Sequence, residues 1–207
     1  MLQAALDIMI EDGIRSVRNR AVAKRAGVSL GSTTYHFESI EDLIISAFQY
    51  WRERNLLVDN PFYEQTSALL APHAKGVVPA EERDAVARQI LEFAIGYLEG
   101  QLSGKREDRL LELAFHHESV RYPALHDLVM EEWEAQHAYL AYVHQVMGSK
   151  QPEIDAQITI ALFRQLEQAT VVASRTSPDM AMIRTALHRH MTLCFGVDIP
   201  LEGDETP

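Results

Sequence analysis

No stretch of this chain alternates apolar and polar residues for long enough to make a convincing strand. Its apolar residues recur instead at helical spacing, in runs that glycine and proline cut short. That pattern predicts an all-α fold of about nine helices. The first is expected over residues 1–12, with Leu2, Ala5, Leu6 and Met9 on one stripe and Gly13 as its stop. Short helices follow from about Asn19 to Ala26, closed by Gly27, and from Leu30 to His36. Ser39 opens S-I-E-D, close to a capping box, ahead of a helix whose apolar face is Ile40, Leu43, Ile44, Ala47, Phe48 and Trp51. Asn60-Pro61 reads as a domain boundary, and residues 61–79, with three prolines and Gly76, as a loop or broken helix. Longer helices are expected over about 81–102, 105–119, 124–147, 153–174 and 179–195. The division is therefore a small domain over 1–50 with a connecting helix to about 58, a helical domain over 59–199, and an acidic, frayed tail over 200–207.

A net charge of −11 argues against a nucleic-acid partner until it is divided by region. Residues 1–54 hold seven bases and seven acids, so the whole excess lies beyond them. Residues 13–37 hold five bases (Arg15, Arg18, Arg20, Lys24, Arg25) and no Asp or Glu. A segment that approaches phosphates must shed carboxylates, whereas an acidic body facing away costs little once screened beyond about 10 Å. The opening M-L-Q-A-A-L-D lacks the basic start of a signal peptide, and no uncharged run reaches membrane-spanning length. One cysteine, Cys194, excludes an internal disulfide and fits a reducing cytoplasm; on the apolar run M-T-L-C-F it reads as a packed structural thiol.

Residues 18–37, R-N-R-A-V-A-K-R-A-G-V-S-L-G-S-T-T-Y-H-F, read as two short helices joined at a tight turn. Ala23 and Ala26 let the helices cross closely, Gly27 supplies a positive φ, Val28 plugs the angle, and Ser29 caps the second helix. That second helix offers Ser32, Thr33, Thr34, Tyr35 and His36 in place of an apolar stripe. Amid five bases and no acids, such a face suits a nucleic-acid groove.

These residues resemble the tetracycline-repressor (TetR) family of one-component bacterial regulators. The matching positions are Arg20, Val22, Ala23, Ala26, Gly27, Val28, Ser29, Gly31 and Tyr35-His36-Phe37, followed by E-S-I-E-D-L. Upstream, A-A-L-D-I-M-I-E-D-G is similar to the family's first helix and its closing glycine. The likeness covers about residues 1–50. Thr33 and Thr34 depart from the usual leucine and aromatic, Arg18 from a capping Ser or Thr, and Leu30 from a frequent lysine. No basic arm precedes the first helix within residues 1–207, as one does in relatives: either the native chain starts further upstream or DNA is bound without that arm.

The resemblance implies a ligand-responsive transcriptional regulator, a repressor, that binds a palindromic operator in double-stranded DNA as a homodimer. Arg18, Arg20, Lys24, Ser29, Leu30, Gly31, Ser32, Thr33, Thr34, Tyr35 and His36 would meet the DNA. The last two helices of each subunit would form a four-helix bundle across the dimer axis, through Ile154, Ile158, Ala161, Leu162, Ala169 and Val172 on one helix and Ile183, Leu187, His190 and Met191 on the other. A small, largely apolar effector would release the DNA after binding near Phe93, Tyr97, His116, His117, Trp133 and Tyr142.

His137 and His144 lie seven apart, but no H-x-x-x-H pair and no cysteine partner accompany the histidines, so neither a metal nor a cofactor is expected. The chain has no phosphate-binding glycine loop and no cysteine with an evident base, so it does not read as an enzyme. A helix-turn-helix module without DNA-binding activity and a metal-responsive regulator stand as the alternatives. No membrane partner is expected.

Overall fold

The computed structural model describes residues 1–55, 60–172 and 179–199, without the side chains of Thr170 and Val172. Among the described residues there are ten α-helices and no strand. In chain order they are α1 (Leu2–Asp12), α2 (Asn19–Ala26), α3 (Leu30–His36), α4 (Ile40–Glu53), α5 (Pro61–Leu70), α6 (Ala80–Gly104), α7 (Arg106–Ser119), α8 (Pro123–Val146), α9 (Pro152–Val172) and α10 (Met180–Phe195). None is long and apolar enough to cross a membrane.

The tenth helix, α5, falls where the prolines suggested a loop. Its first turn explains why: the Asn60 side chain accepts a hydrogen bond from the Phe62 backbone N–H at 2.9 Å, and Pro61 occupies the first helical position. Proline is harmless there, because the N–H it lacks would have no intrahelical acceptor.

The chain divides into two compact units, and the first is not contiguous: it joins Met1–Leu56 to Arg106–Trp133. The sequence placed residues 105–147 in the second domain. The difference comes from α4, whose buried face (Leu43, Ile44, Ala47, Phe48 and Trp51) is broader than α1 alone can cover. Leu111 and Phe115 of α7, with Leu125 and Val129 of α8, complete that core. The Phe115 ring meets Phe48 edge-on at 5.1 Å between centroids and lies 5.7 Å from Trp51. At the rim, the Trp51 indole N–H donates to Asp108 Oδ1 at 3.1 Å, and Arg52 pairs with Glu131 at 3.1 Å.

The second unit comprises Leu57–Lys105 and Glu134–Pro207. Its axis is α6, which buries Ala87, Ile90, Leu91, Ala94, Ile95 and Leu98. Helices α5, α9 and α10 all pack on α6. From α10 come Ile183, Leu187, Met191 and Phe195, all buried. The second half of α8 adds Val143, Val146 and Met147 to the same core.

Candidate nucleic-acid interface

Three local devices hold α3 in place. Gly27 ends α2 in the left-handed region (φ 68°), a conformation costly for any residue with a Cβ. The Ser29 hydroxyl then caps α3, accepting from the Ser32 backbone N–H at 3.1 Å. Third, Thr33 is fully buried and its hydroxyl donates to the Leu30 carbonyl at 2.8 Å, anchoring the inner face. Thr33 was expected to reach the groove; burial withdraws it. Beta-branched and short, it serves here as the packing residue between α3 and its neighbours.

The outer face of α3 is built from side chains with no core to join. Tyr35 is 84% exposed and its ring meets that of His36 edge-on at 5.2 Å. Leu30, Gly31, Thr34 and His36 are also exposed, and Ser32 is half-buried. The Thr34 hydroxyl donates to the Gly31 carbonyl at 3.1 Å, so its proton is committed to its own helix. Val28, expected to plug the interhelical angle, is 39% exposed; its backbone N–H, bonded to the Ala23 carbonyl at 3.0 Å, closes the turn instead.

Of the five bases in the carboxylate-free strip, one is engaged. Arg25 grips Glu11 of α1 with both guanidinium nitrogens, at 3.0 and 2.5 Å, and the hydrogen-bonded cation holds the Glu11 carboxyl below its ordinary range. Arg18, Arg20 and Lys24 are exposed and make no ion pair among the described residues. Arg18 also lines an open cleft of about 390 Å³ within the first unit, together with Arg15, Glu118 and Arg121.

The residues expected at a dimer seam divide. On α9, Ile154 (56%) and Ile158 (48%) are exposed, as are Ala161 and Ala169, while Leu162 is half-buried. The side chain of Val172 lies outside the described residues. On α10, Ile183, Leu187 and Met191 are buried in the second unit's own core, so they are unavailable to a partner. The exposed apolar stripe of α10 is Met182 and Leu193 with half-buried Ala186. The helix is apolar on most sides, and sequence periodicity alone did not separate its two stripes.

The expected effector residues also divide. His116 and Trp133 belong to the first unit, where the indole N–H donates to His116 Nε2 at 3.3 Å, and His117 lies on the same helix as His116. Phe93, Tyr97 and Tyr142 pack against the second unit's core. There the aromatic group includes residues the sequence did not single out. Phe62, Tyr97 and Phe163 form a triangle of rings 6.0–6.3 Å apart, and the Tyr97 hydroxyl donates to the buried Glu167 carboxylate at 3.1 Å. Phe62 was invisible as a site residue because its segment had no expected helix.

A polar cluster lies inside the second unit, where α8, α9 and α10 meet. The Thr159 hydroxyl is 2.8 Å from His144 Nε2 and 2.7 Å from His190 Nε2, and itself donates to the Asp155 carbonyl at 2.8 Å. His190 and Cys194 are four residues apart on one helix face, with Sγ 3.5 Å from Nδ1. Burial pushes His144 down to about 4 and holds His190 below the ordinary imidazole range. Burial and the neighbouring Asp155 push the Cys194 thiol up to about 12, consistent with an unreactive thiol. The expectation that no cysteine accompanies the histidines overlooked this H-x-x-x-C spacing.

Residues 1–47 match the model of the bacterial regulatory proteins of the tetR family. That stretch is a tetR-family DNA-binding domain. Solved structures extend the likeness over nearly the whole chain. A TetR-family member from Streptomyces coelicolor A3 is 26% identical, with a TM-score of 0.61 over 97% of this chain and 96% of that one. The multidrug binding protein EbrR, solved with imidazole, is 26% identical with a TM-score of 0.59, over 97% of this chain and 88% of that one. A transcriptional regulator from Rhodococcus sp. Rha1 shares the fold at 19% identity, with a TM-score of 0.67 over 97% of each chain. No curated protein matches. The chain thus has the fold of a tetR-family transcriptional regulator, with a helix-turn-helix domain at its start.

Proposed function

We propose that the protein is a cytoplasmic, homodimeric repressor that reads a palindromic duplex with α3 and releases it when a small, largely apolar molecule binds the second unit. The observation that carries the reading is the outer face of α3: a capped helix that exposes Leu30, Thr34, Tyr35 and His36 without burying them against anything. Tyr35, His36, Ser32, Thr34, Leu30 and the open backbone at Gly31 face the groove, Ser29 fixes the helix entry, and Arg18, Arg20 and Lys24 hold phosphates. With few long side chains to read base edges, affinity depends on phosphate contacts and falls steeply with salt.

The exposed apolar residues of α9 and α10 support the dimer. Ile154, Ile158, Ala161 and Ala169 of one helix, with Met182 and Leu193 of the other, would cost little to bury against a second copy. The effector reading rests on the second unit's aromatic group, Phe62, Phe93, Tyr97, Tyr142 and Phe163, with Tyr97 and Glu167 as its polar end. EbrR, of the same fold, is solved with proflavin and with ethidium, both flat aromatic molecules. Release needs little energy: a tenfold loss of operator affinity corresponds to about 1.4 kcal/mol of coupling.

Selection of duplexes by the full chain from a random library tests the reading. Enriched palindromes are expected, with half-sites about one helical turn, roughly 34–36 Å, apart. A folded dimer that enriches no duplex at low salt would eliminate DNA reading, and enrichment of single half-sites would eliminate the dimeric mode.

A further inference from the structure

We propose that His144, Asp155 and Cys194, with His190 as fourth donor, form a four-coordinate site for a zinc-class divalent ion. The donors come from three helices, α8, α9 and α10, all within the second unit. His144, Asp155 and Cys194 each offer a ligand atom within 4.8 Å of the other two. His190 adds Nδ1, 3.5 Å from Cys194 Sγ. A tetrahedral ion with bonds of about 2.0–2.1 Å to nitrogen and about 2.3 Å to sulfur has an S···N edge of roughly 3.5 Å. One edge of the polyhedron therefore already has its bound length.

Hydrogen bonding sets the tautomers in favour of a ligand. A threonine hydroxyl has one proton and two lone pairs. Thr159 gives its proton to the Asp155 carbonyl at 2.8 Å, so both imidazoles donate Nε2–H to it, at 2.8 and 2.7 Å. Each Nδ1 is left with a bare lone pair. That of His190 faces the Cys194 thiol. That of His144, a residue only 3% exposed, is buried and has no hydrogen-bond partner among the described residues. A buried acceptor left without a proton is costly, and a metal ion would supply the partner it lacks. Outer contacts complete the arrangement: Ser149 donates to Asp155 Oδ2 at 2.5 Å, and Thr159 orients both rings. Thiolate and imidazole with a single carboxylate favour zinc-class ions over magnesium or calcium, which take oxygen. Binding displaces the thiol proton, one per ion.

The chain has a single cysteine, so the thiol is its own reporter. The full-length protein, stripped with a chelator, would be titrated with Co²⁺ and separately with Zn²⁺. Expected are one Co²⁺ per chain with the intense visible bands of a four-coordinate ion, a thiolate-to-cobalt charge-transfer band, and loss of thiol labelling under saturating Zn²⁺. In Cys194→Ser the charge-transfer band disappears. Thr159→Val, which removes no donor, weakens Co²⁺ binding by about tenfold or more. Absence of the charge-transfer band in the unaltered protein overturns the proposal. So does a cobalt spectrum that Cys194→Ser leaves intact, which assigns the metal to surface histidines. The cobalt spectrum of the unaltered protein needs no variant and decides the question even if a substituted chain does not fold.

Discussion

Replacing Phe115 by alanine asks whether the DNA reader depends on a residue far outside its own sequence motif. Phe115 is fully buried, meets Phe48 edge-on at 5.1 Å, and lies 5.7 Å from Trp51. Phe-to-Ala changes in cores cost about 3–5 kcal/mol, from lost transfer energy plus the cavity left behind. Two aromatic partners, each worth about 0.5–1.5 kcal/mol beyond area, place this one towards the upper end, near 4 kcal/mol. Against a typical domain stability of about 5–15 kcal/mol, that is a large fraction of the whole. The assay is built in: both tryptophans, Trp51 and Trp133, belong to the first unit, so intrinsic fluorescence follows that unit alone. With a urea m-value near 2 kcal/mol/M, the fluorescence midpoint should fall by about 2 M. A shift worth less than about 1 kcal/mol would refute the account, because it would mean that α7 is not part of the reader's core.

Arg20→Ala should weaken DNA binding on all sequences alike and lower the magnitude of the log–log salt slope by about 1, measured by titration at several salt concentrations. Ser29→Ala should cost about 1 kcal/mol of stability through the lost α3 cap, read by thermal or urea unfolding. Thr33→Val should leave the selected DNA sequence unchanged, since that side chain is fully buried, whereas Tyr35→Ala should alter it. An aspartate at Ile158, which is 48% exposed, should give a folded monomer by sedimentation; at Leu187, fully buried, it should unfold the second unit instead. Monomers from neither change would move the interface off α9.

The reader's helices were legible because each boundary has a local cause: Gly13, Gly27, Ser29 and Ser39 act within one turn of where they sit. Helix α5 was hidden because three prolines over residues 61–79 suggest a break, and only position decides that Pro61 begins a helix. The site was half-legible for a different reason. A helix of seven residues shows which side chains it carries but not which it turns inward, so Thr33 passed for a contact. The same limit hid the two stripes of α10. The attachment of residues 106–133 to the first unit depends on shape complementarity at Phe48, Trp51 and Phe115, and no periodicity within either segment encodes it.

That attachment has a consequence for how the protein is made. Chains emerge from the ribosome at about 5–20 residues per second, so α1 to α4 appear well before their missing partners. Until Leu111, Phe115, Leu125 and Val129 arrive, the apolar face of α4 has only part of its cover. A chain released after α4 but before residue 106 carries α3 complete but leaves it on an unfinished support. Such a fragment is open to proteases, which act on the open state. On the proposed function, premature termination would then leave no stray half-regulator to occupy operators without answering to a signal.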